Sequence, residues 1–235
     1  MTKTKIMLDP GHGGRDPGAV ANGLQEKEIV LTIARKIRHL LLKQYEVDVS
    51  LTRETDIFVT LEERARMAND WGADYFLSIH VNASGGTGFE SYIHPSAPAR
   101  TKEYQQVIHK SIIERINERD RGMKIANFSV LRQTRMSALL TENLFIDNEI
   151  DSSKLKRKVT LEALAEGHVN GLQRLLKLKP SHVVTPTQHA VRETQSIYRV
   201  LINGNQVGAY ADPENLLGQV YQHIGKAERI ELHKV

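Results

Sequence analysis

Two kinds of hydrophobic pattern alternate along the first 179 residues of the chain. Short apolar runs with polar boundaries predict β-strands, and stretches with an apolar residue every three to four positions predict amphipathic helices. The predicted strands are 5–9, 47–52, 75–80, 89–94, 129–132 and 138–143, and the predicted helices are about 27–43, 60–72, 99–118 and 155–178. This alternation predicts an α/β fold with a mixed, mainly parallel sheet and helices on both of its faces.

The pattern changes after the last of these helices. Residues 180–195 are rich in threonine and lack apolar periodicity, which predicts a linker. In residues 196–235, the pair Asn203-Gly204 lies between two strand patterns and favours a tight hairpin turn. A helix from Asp212 and a final strand are predicted to follow. We therefore expect a body at residues 1–179, a linker, and a small β-β-α-β module of the α+β class.

The composition excludes several classes of protein. With 235 residues, of which 40% are hydrophobic, the chain can bury a substantial core. It has no cysteine, which excludes disulfides, thiolate metal sites and cysteine nucleophiles, so metal ligands would come from the ten histidines and from carboxylates. No apolar run approaches the roughly 18 residues of a membrane span. The net charge of +4 suits an anionic polymer. No basic stripe with interleaved aromatic residues is present, so we expect no nucleic acid partner.

Several side chains suited to metal binding or acid–base chemistry lie next to predicted strands or helices. His12 follows the first strand in a glycine-rich loop, His80 ends a buried strand, and Glu142 ends another. Ligand sites of such sheets lie at the ends of strands. Glu26 adds a further carboxylate at the start of the first helix. Because a catalytic zinc takes about three protein ligands and keeps one open position, this set predicts a catalytic zinc centre.

Each of these residues also has a structural interpretation. Acidic residues such as Glu26 are favoured in the first turn of a helix, and a lone histidine such as His80 is more often a hydrogen-bonded structural residue. Glu142 is harder to explain in this way, because it ends the apolar run 138–140, where an unpaired carboxylate is costly to bury. The zinc hypothesis therefore depends on the four residues together.

The residues around these positions form motifs in a fixed order along residues 4–178: DPGHGG, QEK, LEERARMAN, ADYFLSIHVNA, GFESYIHP and LLTENLFID. With these motifs the sequence resembles the zinc-dependent N-acetylmuramoyl-L-alanine amidases of bacterial cell-wall lysis. The resemblance implies that His12, Glu26 and His80 bind one zinc ion (Zn²⁺) per chain and that Glu142 is the catalytic acid–base residue. It also implies hydrolysis of the amide between N-acetylmuramic acid and the L-alanine of the peptidoglycan stem peptide.

The resemblance also carries expectations about partners and setting. Peptidoglycan is the expected substrate, and anionic cell-wall polymers are possible partners. The module at residues 196–235 is at the position where such lysins often carry a wall-binding domain. Because the N-terminal segment lacks the apolar core of a secretory signal, we expect synthesis in the host cytoplasm and action on the wall after release. That is the pattern of a bacteriophage endolysin, or of an autolysin that lyses a mother cell.

Other functions and other residues stay open at this point. One alternative is a zinc peptidase that cuts within the stem peptide, because zinc chemistry does not distinguish one amide from another. A second is a non-catalytic wall-binding protein of the same fold, which the loss of a ligand or of the acidic residue would indicate. Glu90 is expected to be structural rather than a second carboxylate of the centre. The remaining expectations are that Asn82 and Asn143 bind substrate or cap turns, that Asp9 stabilises the DPG turn or orients a ligand histidine, and that His94 and His109 lie on the surface.

Overall fold

The computed structural model describes residues 3–181, 198–210 and 229–234. By its internal contacts the chain divides into two compact units, residues 1–183 and 184–235. Nearly all of the predicted linker, and the predicted helix that starts at Asp212, lie outside the described residues. Among the described residues, no helix has the length and apolar content required to cross a membrane.

A six-stranded mixed sheet forms the centre of the first unit. Its strands are β1 (Thr4–Pro10), β4 (Val47–Leu51), β5 (Tyr75–Asn82), β6 (Phe89–Ile93), β7 (Asp120–Ile125) and β8 (Ser137–Phe145). The strand order is β4-β1-β5-β8-β6-β7, and every neighbouring pair is parallel except β8 and β6. A two-stranded hairpin, β2 (Val20–Ala21) and β3 (Leu24–Gln25), lies in the loop after β1. The predicted mixed, mainly parallel sheet is therefore confirmed.

Helices cover both faces of this sheet, as predicted. They are α1 (Glu26–Gln44), α2 (Leu61–Trp71), α3 (Ala99–Ile116), α4 (Ser129–Gln133), α5 (Glu149–Leu155) and α6 (Lys158–Leu176). Helices α1, α3 and α6 pack on one face over the larger part of the core. Helices α2 and α4 pack on the other face over a smaller apolar cluster. The chain therefore buries the sheet from both sides, which explains the nearly continuous apolar runs of its central strands.

Side-chain alternation along the strands decides which residues meet on each face. On β5, Leu77 and Ile79 point into the core beneath α1, whereas Phe76 packs in the cluster beneath α2 and α4. Successive side chains of a strand point to opposite faces, so His80 lies on the face of Phe76. On β8, Leu140 belongs to the same cluster, so Glu142 shares that face. Two side chains from distant parts of the sequence are thereby directed to one region of the sheet.

The structure differs from the sequence prediction at three elements. Residues 129–132 form the helix α4 instead of a strand, because a run of four residues is too short to distinguish the two periods. The edge strand β7 was not predicted, because none of its residues is buried and it lacks an apolar pattern. Helix α5 was not predicted: Asn148 caps it by accepting hydrogen bonds from the N–H groups of Ile150 and Asp151, and the predicted helix at about 155–178 corresponds to α6 alone.

The described part of the second unit is a three-stranded antiparallel sheet. It consists of β9 (Tyr198–Ile202), β10 (Asn205–Tyr210) and β11 (Ile230–Lys234) in the order β10-β9-β11. Asn203 and Gly204 both adopt positive φ angles, 49° and 82°, in the turn between β9 and β10. Two positive φ angles define the tight turn that fits the twist of a hairpin, so the predicted hairpin is confirmed.

Candidate functional site

His12 lies in the loop that follows β1, with a positive φ of 60°. Two buried arginines fix the backbone of this loop. Arg53 donates to the carbonyl oxygens of Pro10 (3.0 Å) and Gly11 (2.8 Å), and Arg64 donates to those of Pro10 (2.7 Å) and His12 (2.6 Å). Carbonyl groups of a loop need such donors where water is excluded. The two guanidinium groups therefore determine where the His12 backbone lies.

Asp9 provides the counter-charge for Arg64. Its Oδ1 accepts from Arg64 at 2.8 Å and from the Thr52 hydroxyl at 2.6 Å, and its Oδ2 accepts from Ser78 at 2.7 Å. Burial opposes ionisation, but Arg64 and these hydrogen bonds hold the pKa of Asp9 below its ordinary value. Asp9 therefore stabilises the turn through Arg64. Asp16, not Asp9, contacts His12 directly: Oδ2 of Asp16 lies 2.9 Å from Nδ1 of His12.

Glu26 is the first residue of α1 and is almost completely buried. Its Oε2 accepts from the backbone N–H of Ala19 at 3.0 Å and lies 3.1 Å from Nε2 of His12. Its Oε1 accepts from the N–H of Val81 at 2.9 Å and lies 3.0 Å from Nδ1 of His80. Burial raises the pKa of Glu26, but the contacts with both histidines outweigh it and keep that pKa far below its usual range.

His80 is held against the backbone of the DPGHGG loop. A Cβ atom on Gly11 would lie 2.3 Å from Cε1 of His80, so only glycine allows the loop to pass this close to the imidazole. Burial opposes protonation of both histidines, but the contact with Glu26 raises the pKa of His80 and of His12. The rings of His12 and His80 meet edge to face, with their centroids 5.0 Å apart.

Glu142 is the register partner of His80 in the parallel strands β5 and β8. Its Oε2 atom is buried and has no hydrogen-bond partner among the described residues. Burial, supported by the negative charges of Glu26 and Glu90, raises the pKa of Glu142 to about 7. A cavity of about 370 Å³ is lined by Glu142 together with His12, Glu26 and His80. The structure therefore brings the four residues singled out in the sequence to one cavity.

The donor set fits a catalytic divalent metal. His12, Glu26 and His80 each offer one ligand atom, and these three atoms lie within 4.8 Å of one another. Two imidazoles and one carboxylate form a typical three-residue set for a zinc centre with an open position. The contact of Asp16 with Nδ1 of His12 leaves Nε2 as the free ligand atom. The unpartnered oxygen of Glu142 faces the same cavity without being needed as a ligand.

Other candidate residues have structural contacts. Asn143 donates to the carbonyl oxygen of His80 at 2.9 Å, and Asn82 donates to Glu90 at 2.6 Å. The expectation that His109 lies on the surface is wrong, because this residue of α3 is buried, with its ring between Ser91 and Asp120. His94 is half-buried and contacts Ser96 and Asn127, away from the cavity. Glu90 is buried and ion-paired, as expected of a structural residue, but it also lies directly opposite Glu142.

Sequence reasoning missed three residues that fix the centre. Arg53 and Asp16 were not considered, and Arg64 entered only as one letter of the LEERARMAN motif. Asp16 follows His12 by four residues in a turn-rich loop, so its spacing alone was a signal for a residue that orients the histidine. Arg53 gave no such signal, because a single arginine after a strand pattern is usually exposed.

Comparison with known proteins agrees with this geometry. The family model "N-acetylmuramoyl-L-alanine amidase" matches residues 6–174. The chain is 49% identical to a sporulation-specific N-acetylmuramoyl-L-alanine amidase of Bacillus subtilis over 209 residues, which cover 88% of this chain and 78% of the relative. It is also 49% identical to an endolysin of Bacillus phage SPP1 over 180 residues, covering 74% and 66% of the two chains.

A solved structure shows the same fold. The crystal structure of an N-acetylmuramoyl-L-alanine amidase from Clostridium difficile 630 superposes with a TM-score of 0.73 and 34% identity. The match covers 74% of this chain and 97% of that one, so it spans nearly all of the solved structure. The fold, the motifs and the matched residues lead to one conclusion: this chain belongs to the N-acetylmuramoyl-L-alanine amidase family.

Proposed function

We propose that this chain is a zinc-dependent peptidoglycan hydrolase that cleaves the amide bond between N-acetylmuramic acid and L-alanine. His12, Glu26 and His80 bind one zinc ion per chain, and Glu142 is the acid–base residue. The observation that carries this proposal is the placement of three clustered ligand atoms beside a buried carboxylate oxygen without a partner. The names of the relatives supply the substrate, since they are N-acetylmuramoyl-L-alanine amidases.

A zinc ion held by these residues would polarise the amide carbonyl and lower the pKa of water. Glu142 accepts the proton of the attacking water and returns it to the departing nitrogen of L-alanine. The buried position of Glu142 at the same cavity as the three ligand candidates suits a group that must both take and give a proton there. The backbone N–H groups of Ala19 and Val81 fix the Glu26 carboxylate, and Asp16 fixes the ring of His12.

Two alternatives differ from this proposal: one is an enzyme that cuts a different bond, and the other is a protein that cuts no bond. A zinc peptidase would use the same centre on an amide within the stem peptide, so the site chemistry does not distinguish the two. A non-catalytic wall-binding protein has no use for an acid–base group. The assembly of Glu142 with the three ligand candidates at one cavity therefore favours an enzyme.

The decisive experiment compares the wild type with Glu142→Gln. Both proteins are assayed for metal by plasma emission and for turbidity loss of purified cell walls, and the released ends are identified by mass spectrometry. We expect about one zinc per chain in both proteins, and lysis with new L-alanine amino ends in the wild type only. New amino ends at later residues of the stem peptide would instead indicate a peptidase. Zinc without lysis by the wild type would indicate a binding protein.

For the second unit we propose cell-wall binding. Its described strands expose Tyr198, an aromatic side chain of the kind that stacks on sugar rings, and the aliphatic side chains of Val207 and Leu232. Sedimentation of the full chain with purified walls, for the wild type and Tyr198→Ser, tests this role. Weaker co-sedimentation of the variant with an unchanged zinc content is the expected result. Equal co-sedimentation would remove Tyr198 from the binding surface.

The biological setting stays a prediction, with two candidates. The predicted phage endolysin has a relative of that name in phage SPP1. A role in mother-cell lysis is favoured by the longer match to the sporulation-specific amidase, because 88% of this chain exceeds the length of its first unit. Expression timing in the source cell, late in prophage induction or late in sporulation, separates the two settings.

A further inference from the structure

Glu90 is the centre of a charge cluster beside the candidate metal centre. Its Oε2 accepts from Nε of Arg121 at 2.8 Å and also from Nζ of Lys124. Its Oε1 accepts from the hydroxyl of Tyr92 at 2.7 Å and from Nδ2 of Asn82 at 2.6 Å. The carboxylate is only 2% exposed, and all of its hydrogen-bonding capacity is used within the protein. Glu90 therefore serves to hold these four groups in place.

With two cations and one carboxylate, the cluster has a net charge of +1. A single cation would compensate the Glu90 carboxylate, yet both Arg121 and Lys124 are bound to it. Their side chains stay 26% and 34% exposed, so the excess charge is accessible to solvent. Among the described residues, no other carboxylate pairs with either cation. An accessible excess of positive charge on a fixed scaffold is suited to binding an anion.

The guanidinium of Arg121 is held in a defined orientation. Its Nε is bound to Glu90, and its Cζ lies 4.7 Å from the ring centroid of Phe145. Its two terminal NH₂ groups make no hydrogen bond within the part of the chain that the structure describes. The outer edge of a guanidinium has the spacing that matches both oxygens of a carboxylate. Arg121 therefore presents a free, pre-oriented carboxylate-binding edge.

The cluster is close to the proposed reaction centre. Glu90 on β6 is the register partner of Glu142 on β8, so their side chains share one face and their Cβ atoms are about 5 Å apart. The register between β6 and β7 then shifts by one residue, which places Arg121 and Gly122 opposite Glu90. Two strand spacings separate Arg121 from Glu142, a distance of about 10 Å.

We propose that Arg121, assisted by Lys124, binds the free carboxylate of the residue that follows L-alanine in the stem peptide, which is D-glutamate in unamidated walls. This inference rests on the proposed function, because it assumes that the muramoyl–alanine amide lies at Glu142. An extended peptide advances about 3.5 Å per residue, so the second residue lies about 7 Å from the cleaved bond. The long side chain of Arg121 spans the remaining distance. Arg121 is thus a specificity-determining residue.

The test uses a pair of substrates that differ in one group. Uncrosslinked peptidoglycan strands are polymerised in vitro from precursors that carry D-glutamate or its amide, D-isoglutamine, at the second position. The rate of appearance of L-alanine amino ends gives kcat/KM for each. We expect the wild type to prefer the free carboxylate by about 10- to 100-fold, the range of a charge-assisted bidentate contact. The preference should appear mainly in KM.

Two variants of Arg121 test whether this residue causes the preference for the free carboxylate. Arg121→Gln should lower the ratio between the two substrates to about 1, and Arg121→Lys should leave an intermediate ratio because the charge stays but the bidentate edge is lost. Arg115→Gln is the control, since Arg115 pairs with Glu166 between α3 and α6 and should leave the ratio unchanged. A merely structural role of Arg121 would lower both rates equally and leave the ratio as in the wild type.

Each outcome decides one point. Equal hydrolysis of both strands by the wild type, or a preference that survives Arg121→Gln, overturns this inference and leaves the proposed function intact. No hydrolysis of either strand by the zinc-loaded wild type rejects the proposed function itself. The wild-type preference needs no variant, so the test holds even where a substitution impairs folding.

Discussion

His80 and Glu142 are register partners in the neighbouring parallel strands β5 and β8. Directly paired residues of two strands point to the same face, about 5 Å apart. Beyond this pair the register shifts by one residue, and Leu144 adopts a positive φ of 69°. Such a bulge bends a strand and changes the direction of its side chains. The paired positions are thus the last regular ones before the strands diverge, where a cavity can open.

A first prediction concerns the different roles proposed for these two residues. His80→Ala should lose most of the bound zinc, whereas Glu142→Gln should keep it and lose activity by about 10²- to 10⁴-fold. Zinc at about 100 times its Kd should raise the stability of the wild type by about 3 kcal/mol and that of His80→Ala by much less. Thermal unfolding with and without zinc measures this difference. Equal stabilisation of both proteins would exclude His80 as a ligand.

A second prediction concerns the close approach of Gly11 to His80. In Gly11→Ala the new Cβ would collide with the imidazole, so the ring must move and zinc affinity should fall by about 10- to 100-fold. Competition with a chelator of known affinity measures the change. Gly72→Ala is the control: its C-cap conformation should cost about 1 kcal/mol of folding stability without any effect on zinc. If the zinc affinity of Gly11→Ala is unaltered, the loop moves to make room for the new Cβ atom and the His80 ring stays in place.

A third prediction concerns the buried ion pair of Asp9 and Arg64. Arg64→Met should lower the free energy of unfolding by about 3–5 kcal/mol, because it leaves a buried carboxylate without its cation. The double variant Asp9→Asn/Arg64→Met should recover part of this loss. Arg66→Met is the matched control two residues along the same helix, because its ion pairs are exposed and worth little. Urea unfolding measures all four proteins, and a small loss in Arg64→Met would contradict the prediction.

A fourth prediction concerns pH and the buried His168. Burial lowers the pKa of His168 to about 4, against an ordinary value of 6.5. Between these values the unfolded chain binds a proton that the folded chain does not, so stability falls as the pH falls from 6.5 towards 4. The contribution is about 3 kcal/mol at most. Because carboxylates titrate in the same range, the measurement is the difference between the wild type and His168→Gln, which should have a flatter pH profile. Parallel profiles would contradict the assignment.

Local sequence patterns determined much of this fold. The alternation of apolar runs with amphipathic stretches was sufficient for the sheet and for the longer helices, because each of these elements repeats its own period several times. The same runs showed that His12, His80 and Glu142 follow strand patterns. Short or exposed elements could not be predicted in this way, because they show no repeated period: α4 has five residues, and β7 is an edge strand without a buried side.

Only the tertiary structure decided which side chains meet. Strand order and register join residues far apart in the sequence, and no local period encodes them. They place Glu90 opposite Glu142 and bury His109 of α3 against Ser91 of β6. They also bring Arg64 to the backbone of the His12 loop. The sequence by itself therefore determined the fold class and the residues available for chemistry. The packing of distant elements decided their neighbours, their charge environment and the carboxylate-binding edge of Arg121.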